Sequence, residues 1–223
     1  FQKIGFASLS LSKSELSING AAKENFKDFY ITPGTVSSTG FDVKGNAVLF
    51  AGYGLNKEGF NEYEGQDVAG KIVMIFATGD PTATPPPPAA PGTRRAPSSV
   101  GSQQAKIKYL VDNKAAGVLV INANVDNLNP RMKEMLQNGN PYLKTAERMK
   151  QMAASAGLPT VVIGTAVANQ ILAGANTNLA EIKAKIDGTK KPATVNINIP
   201  VAFAAKSIEK DVRFNIEYSF NDF

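Results

Sequence analysis

The residues best placed to do chemistry are a Gly52-Tyr53-Gly54 turn, two aspartates beside glycine (Asp80 and Asp187) and a cluster of Asn122, Asn124, Asp126, Asn127 and Asn129. Glycines spaced by one residue after a strand can cradle a phosphate, but a dinucleotide loop needs a third glycine opening a helix. Here Leu55, Asn56 and Lys57 lead into polar loop, and no Walker sequence occurs. Phosphate binding is therefore rejected, and the glycines are read as permitting a tight, positive-φ backbone. Neither aspartate belongs to the Asp-Thr-Gly of an aspartic protease. The asparagine cluster lacks the spacing and the final Glu of a calcium loop. Asn side chains that close turns with their own backbone account for it.

The chain has 223 residues and no His or Cys. Those two types supply most zinc, haem and iron–sulfur ligands and nearly all nucleophile–base pairs. Ser and Lys are plentiful, yet no spacing singles out a dyad. The expectation is a chain with no catalytic residues, no metal ligands and no cofactor of its own. Net charge is +5, from 24 basic and 19 acidic residues. Nearly all the basic residues are Lys scattered along the chain, with Arg only at Arg94, Arg95, Arg131, Arg148 and Arg213, so nucleic acid is not an expected partner. Apolar runs such as Ile72–Ala77 and Val118–Ile121 are too short to span a bilayer as a helix. The chain opens on Phe1 rather than Met and is read as an excised or processed segment.

Strands must position these residues. Ala47–Phe50, Lys71–Ala77, Gly117–Ile121 and Thr160–Ile163 are short and apolar on both faces, as central strands are. Period-two alternation predicts a strand from Val195 to Phe203 and another from Val212 to Phe220, with a polar turn over Lys206–Asp211. Phe6–Ile18 alternates more loosely. Helices are predicted after Ser102, over Tyr142–Ala156, from Thr165 as cap to Leu172, and after Asn178, where Glu181 completes a capping-box pattern. Residues 81–99 hold Pro81, Pro85, Pro86, Pro87, Pro88, Pro91 and Pro97, which favour extended polyproline II and cannot pair in a sheet. That segment is expected to project as an exposed loop.

The order of segments is more informative than any one of them. Ala47-Val48-Leu49-Phe50-Ala51-Gly52-Tyr53-Gly54 runs through a loop with Phe60, Tyr63 and Glu64 into Asp67-Val68-Ala69-Gly70-Lys71-Ile72-Val73, and then Gly79-Asp80-Pro81. This resembles the protease-associated domain inserted in zinc aminopeptidases of the M28 family. Lys106–Ile121, with Ala115-Ala116-Gly117, and then Leu158-Pro159-Thr160 resemble that domain's later elements. The match runs from about Val43 to Pro200.

The resemblance implies a mixed α/β, strand-rich fold of the swivelling β/β/α kind, with a sandwich- or barrel-like core and flanking helices. It implies one domain over 1–223 with a core of about 43–200. Residues 1–42 and 204–223 would then be extension strands leading towards a peptidase domain. The implied role is non-catalytic: contacting or gating peptide or protein substrate beside the parent's catalytic domain, in a periplasmic or secreted protein. Zinc is implied only for that catalytic domain, whose ligands include His. Tyr53, Tyr63, Arg94 and Arg95 are the expected contact residues, since Tyr offers large area at small entropic cost and Arg forks onto carboxylates. The alternative is a stand-alone module binding protein or carbohydrate. An exposed loop buries little, and closure entropy varies slowly with length. Replacing Thr82–Pro97 with a short Gly-Ser bridge should leave thermal unfolding nearly unchanged. A drop equivalent to several kcal/mol would mean that the loop is packed.

Overall fold

The computed structural model describes residues 5–37, 39–83, 103–139, 141–145 and 157–212. Its first elements are β1 (Phe6–Ile18), β2 (Ala21–Ala22), β3 (Phe29–Tyr30), β4 (Phe41–Gly45) and β5 (Val48–Ala51). Next come β6 (Asn56–Lys57), β7 (Phe60–Asn61), β8 (Ile72–Phe76), α1 (Gln103–Asp112), β9 (Gly117–Ile121) and α2 (Pro130–Asn138). The chain continues with β10 (Tyr142–Leu143), β11 (Thr160–Ile163), α3 (Thr165–Leu172), α4 (Leu179–Thr189), β12 (Thr194–Ile197) and β13 (Val201–Val212).

The four strands read as central are central. They lie in a sheet of order β12-β5-β8-β9-β11-β3, in which β5, β8, β9 and β11 run parallel while β12 and β3 close the edges antiparallel. Every residue of β5, β9 and β11 is buried, as side chains pointing to both faces require cover on both. One face carries Val48, Phe50, Ile72, Met74, Leu119, Ile121, Val161 and Ile163. It shares a core with Leu16, Ile18, Val43, Val201, Phe203 and Ala205 of a second sheet, of order β10-β1-β13-β4. Val167, Ile171, Ile182 and Ile186 of α3 and α4 complete that core. The opposite face, with Leu49, Val73, Ile75, Val118 and Val120, packs on Leu110 of α1 and on Tyr63 and Val68 of the loop after β7. The layers are sheet, sheet and helix, the strand-rich mixed α/β architecture expected.

Several local readings change. The alternation from Val195 to Phe203 is not one strand: Asn198–Pro200 breaks it, sending β12 to one sheet and β13 to the other. Pro200 has no N–H to give a ladder, so the break falls where pairing could not continue. Lys206–Asp211 is strand rather than turn. Its polar residues lie opposite β1, with Glu209 facing Leu9 and Asp211 facing Ala7, and Lys144 beside β10 pairs with both carboxylates. The register slips between Leu11 and Lys13, where the Ser12 hydroxyl donates to the Lys206 carbonyl at 3.1 Å. Tyr142 and Leu143, expected to start a helix, pair with Ala7 and Phe6 as β10, while residues 146–156 lie outside the described residues. The Ser102 cap, residues 213–220 of the last predicted strand and most of the proline-rich segment also lie outside them.

Helix α2 was not expected. Asn129 caps it by accepting from the Met132 N–H at 2.8 Å, and Pro130 starts it without losing a bond. Asn178 caps α4 as read, accepting from the Glu181 N–H at 3.0 Å. Thr165 is the first residue of α3 rather than its cap, which falls at Gly164.

Gly117 opens β9 directly beneath the Phe203 ring of the facing sheet. A Cβ there would stand 2.5 Å from Phe203 Cζ and 3.2 Å from the Pro159 carbonyl oxygen. Gly117→Ala should cost about 1–3 kcal/mol by overpacking, read as a lower urea midpoint. An unchanged midpoint would mean that the two sheets separate freely at this point.

Candidate binding rim

Parallel strands present all their carboxyl ends on one side, the side where open α/β sheets take ligands. Here the loops after β5, β8, β9 and β11 form that side and are sewn together in sequence. Phe76 N–H donates to Gly52 O at 2.8 Å, Ala77 N–H to Ile121 O at 3.0 Å, and Asn122 N–H to Ile163 O at 3.0 Å. The Gly-Tyr-Gly turn, Gly79-Asp80 and the asparagine cluster all lie on it.

The turn is held by Glu62, a residue no local pattern singles out. Its Oε1 accepts the Tyr53 N–H at 2.9 Å and its Oε2 the Leu55 N–H at 3.0 Å. Gly52 and Gly54 have φ of +44° and +67°, and a Cβ at Gly52 would overlap Glu62 Oε1. The positive-φ reading of these glycines holds, and the reason is the carboxylate beneath them. Glu62 is 1% exposed, and its own carbonyl accepts from the Thr194 hydroxyl of β12 at 2.7 Å. Lys106, 3% exposed on α1, donates to the Phe76 carbonyl at 3.2 Å. Burial pushes the Glu62 carboxyl up to about 7, against the pull of the Leu55 and Tyr53 amides and of the Lys106 charge. Burial likewise pushes the Lys106 ammonium down to about 8, with Glu62 and Asp80 opposing.

The expected contact residues occupy different settings. Tyr53 is 5% exposed; its ring leans on Phe76 at 5.0 Å between centroids, and its hydroxyl donates to Asp187 Oδ1 at 3.1 Å. Lys183 pairs with that same Asp187 and stands 6.0 Å from the Tyr53 ring centroid. Tyr63 is 3% exposed and stacks on Tyr109 of α1 at 4.4 Å, with its phenol pushed up by burial. Both rings therefore pack the turn against α1, β8 and α4 and present almost no surface to solvent. Arg94 and Arg95 lie outside the described residues.

The remaining polar candidates serve the backbone. Asp80 pairs with Lys57 and accepts from the Thr82 N–H and hydroxyl at 3.0 and 2.8 Å. Asn122 accepts from the Asn124 N–H at 2.9 Å, closing a turn as read. Asp126 accepts the Thr165 hydroxyl at 2.6 Å, tying the loop after β9 to the start of α3. Among the described residues, no three His, Cys, Asp or Glu side chains converge as metal ligands would. The polar groups of the rim are taken up by bonds to backbone or to one another.

No protein-family model and no curated protein matches the chain. Among solved structures, an aminopeptidase from Aneurinibacillus sp. strain AM-1 is similar over 93% of this chain and 35% of that one, at 15% identity and a TM-score of 0.40. The chain thus spans about a third of that protein's length.

The buried pair makes stability depend on pH. Glu62 binds its proton more tightly folded than unfolded, so its contribution is full below about 4.5 and is lost as pH rises through about 7. Lys106 holds its proton less tightly when folded, so its contribution is full above about 10.5 and is lost as pH falls through about 8. Between pH 5 and 8 the Glu62 effect dominates. Urea unfolding of the native chain should lose on the order of 2–3 kcal/mol more over that interval than unfolding of Glu62→Gln. Equal pH slopes in the two proteins would show that Glu62 ionises normally.

Proposed function

We propose that this chain is a non-catalytic accessory domain of a secreted or periplasmic zinc aminopeptidase of the M28 kind, contacting or gating the peptide substrate. The observation that carries the reading is how the three resembling segments come together. Ala47–Gly54 forms β5 and its turn, Asp67–Val73 leads into the neighbouring β8, and Gly79-Asp80 lies on the rim after it, held by the Lys57–Asp80 pair. Segments that resemble the family in order are thus also neighbours in space.

The donor set supports a role without chemistry. The chain has no His or Cys, and Glu62, Asp80 and Asp187 are each engaged in bonds to backbone or to Lys and Tyr. These residues do not fit a zinc ion, so the metal belongs to the catalytic domain of the parent. Such a domain acts by excluding volume and water and by positioning the substrate chain.

The test is to read the coding sequence on both sides of this segment and assay the parent. A downstream His, Asp, Glu, Asp and His set in M28 order is expected, with selectivity for short peptides relaxed when residues 43–200 are removed. A flanking sequence without those ligands, or stoichiometric zinc on the isolated chain, would overturn the reading.

A further inference from the structure

A groove of about 370 Å³ runs between α4 and β12, beside the carboxyl end of β5, where Thr194 lies opposite Ala51. Its floor is apolar: Ile182 and Ala193 are buried and Val195 is half-buried. Glu181 and Lys185, one helical turn apart on α4, stand exposed along one wall. The Glu181 carboxylate accepts from the Thr177 hydroxyl at 3.1 Å, and neither charge is spent in an ion pair among the described residues. The other side is a strand edge. Among the described residues β12 pairs only with β5, at the end of its sheet, and Ala193, Thr194 and Val195 of this edge region line the groove.

We infer that this groove takes an extended peptide segment, laid along the outer edge of β12 with an apolar side chain on the Ile182–Val195 floor and charges of both signs against Glu181 and Lys185. Three features select this occupant. A strand edge offers alternating N–H and C=O groups, which another extended backbone matches and a compact small molecule does not. The floor accepts one aliphatic side chain at a time, since it is made of single small or branched residues. The wall carries one carboxylate and one ammonium, complementary to a segment bearing both a base and an acid. The inference deepens the accessory-domain reading, on which it rests for the view that this chain meets peptides.

The experiment is an amide chemical-shift titration of the whole chain with acetyl-Lys-Val-Glu-amide and with the same peptide methylated on its backbone nitrogens. The unmethylated peptide should give saturable shifts confined to residues 175–195. The methylated form, unable to pair with a strand edge, should bind at least about tenfold more weakly. The double variant Glu181→Gln, Lys185→Gln changes only exposed side chains and should weaken binding severalfold. No saturable shift, or equal binding of the methylated peptide, overturns the groove. Saturable shifts at the Gly52–Asp80 rim instead overturn the groove while leaving the accessory-domain reading standing. Groove binding in a parent whose flanks lack zinc ligands would do the reverse.

Discussion

Four parallel strands with apolar side chains on both faces cannot stand in water on either side, and the rest of the chain is arranged to cover them twice. The antiparallel sheet of β1, β4, β10 and β13 covers one face together with α3 and α4; α1 and the loop carrying Tyr63 and Val68 cover the other. A fully buried Leu, Ile or Phe contributes about 1.5–3 kcal/mol, and both faces of the sheet are lined with them. Close approach of the two sheets follows, and with it the need for glycine at position 117 under the Phe203 ring.

The same cover creates the structure's main electrostatic tension. To pack α1 and the post-β7 loop against β5 and β8, the chain buries Glu62 and Lys106 almost completely. An ionised group without water is costly unless it is hydrogen-bonded. Glu62 therefore takes two turn amides and Lys106 a strand carbonyl. These bonds lower the cost without removing it, which is why burial still dominates both groups. What the arrangement secures is one defined shape for the turn after β5. A loop at the carboxyl end of a sheet would otherwise be the most variable part of the fold.

Seen together, the rim and the groove divide the surface by physical character. The rim's polar groups are committed to backbone or to one another. The groove lies beside a strand that, among the described residues, pairs on one side only, and its two charges enter no ion pair there.

Strings such as Ile72–Phe76 and Gly117–Ile121 made the central strands legible, because their length and two-sided apolarity leave no other burial. Asn178 as a cap and the glycines of the Gly52–Gly54 turn were legible too, since their bonds and φ values are local. Asn129 followed by Pro130 was a helix start in plain view, hidden by reading the asparagines only as turns. What the chain could not disclose by itself were relations between distant residues. Lys206–Asp211 is strand because β1 lies opposite it, 194 residues away at Ser12 and Lys206. Glu62 and Lys106 look like ordinary solvated charges in the sequence, and only the packing of α1 over β5 and β8 takes water from them. Local backbone preference and apolar pattern are written residue by residue; burial and pairing belong to the assembled sheets, and those decided where the charges, the tyrosines and the outer edge of β12 ended up.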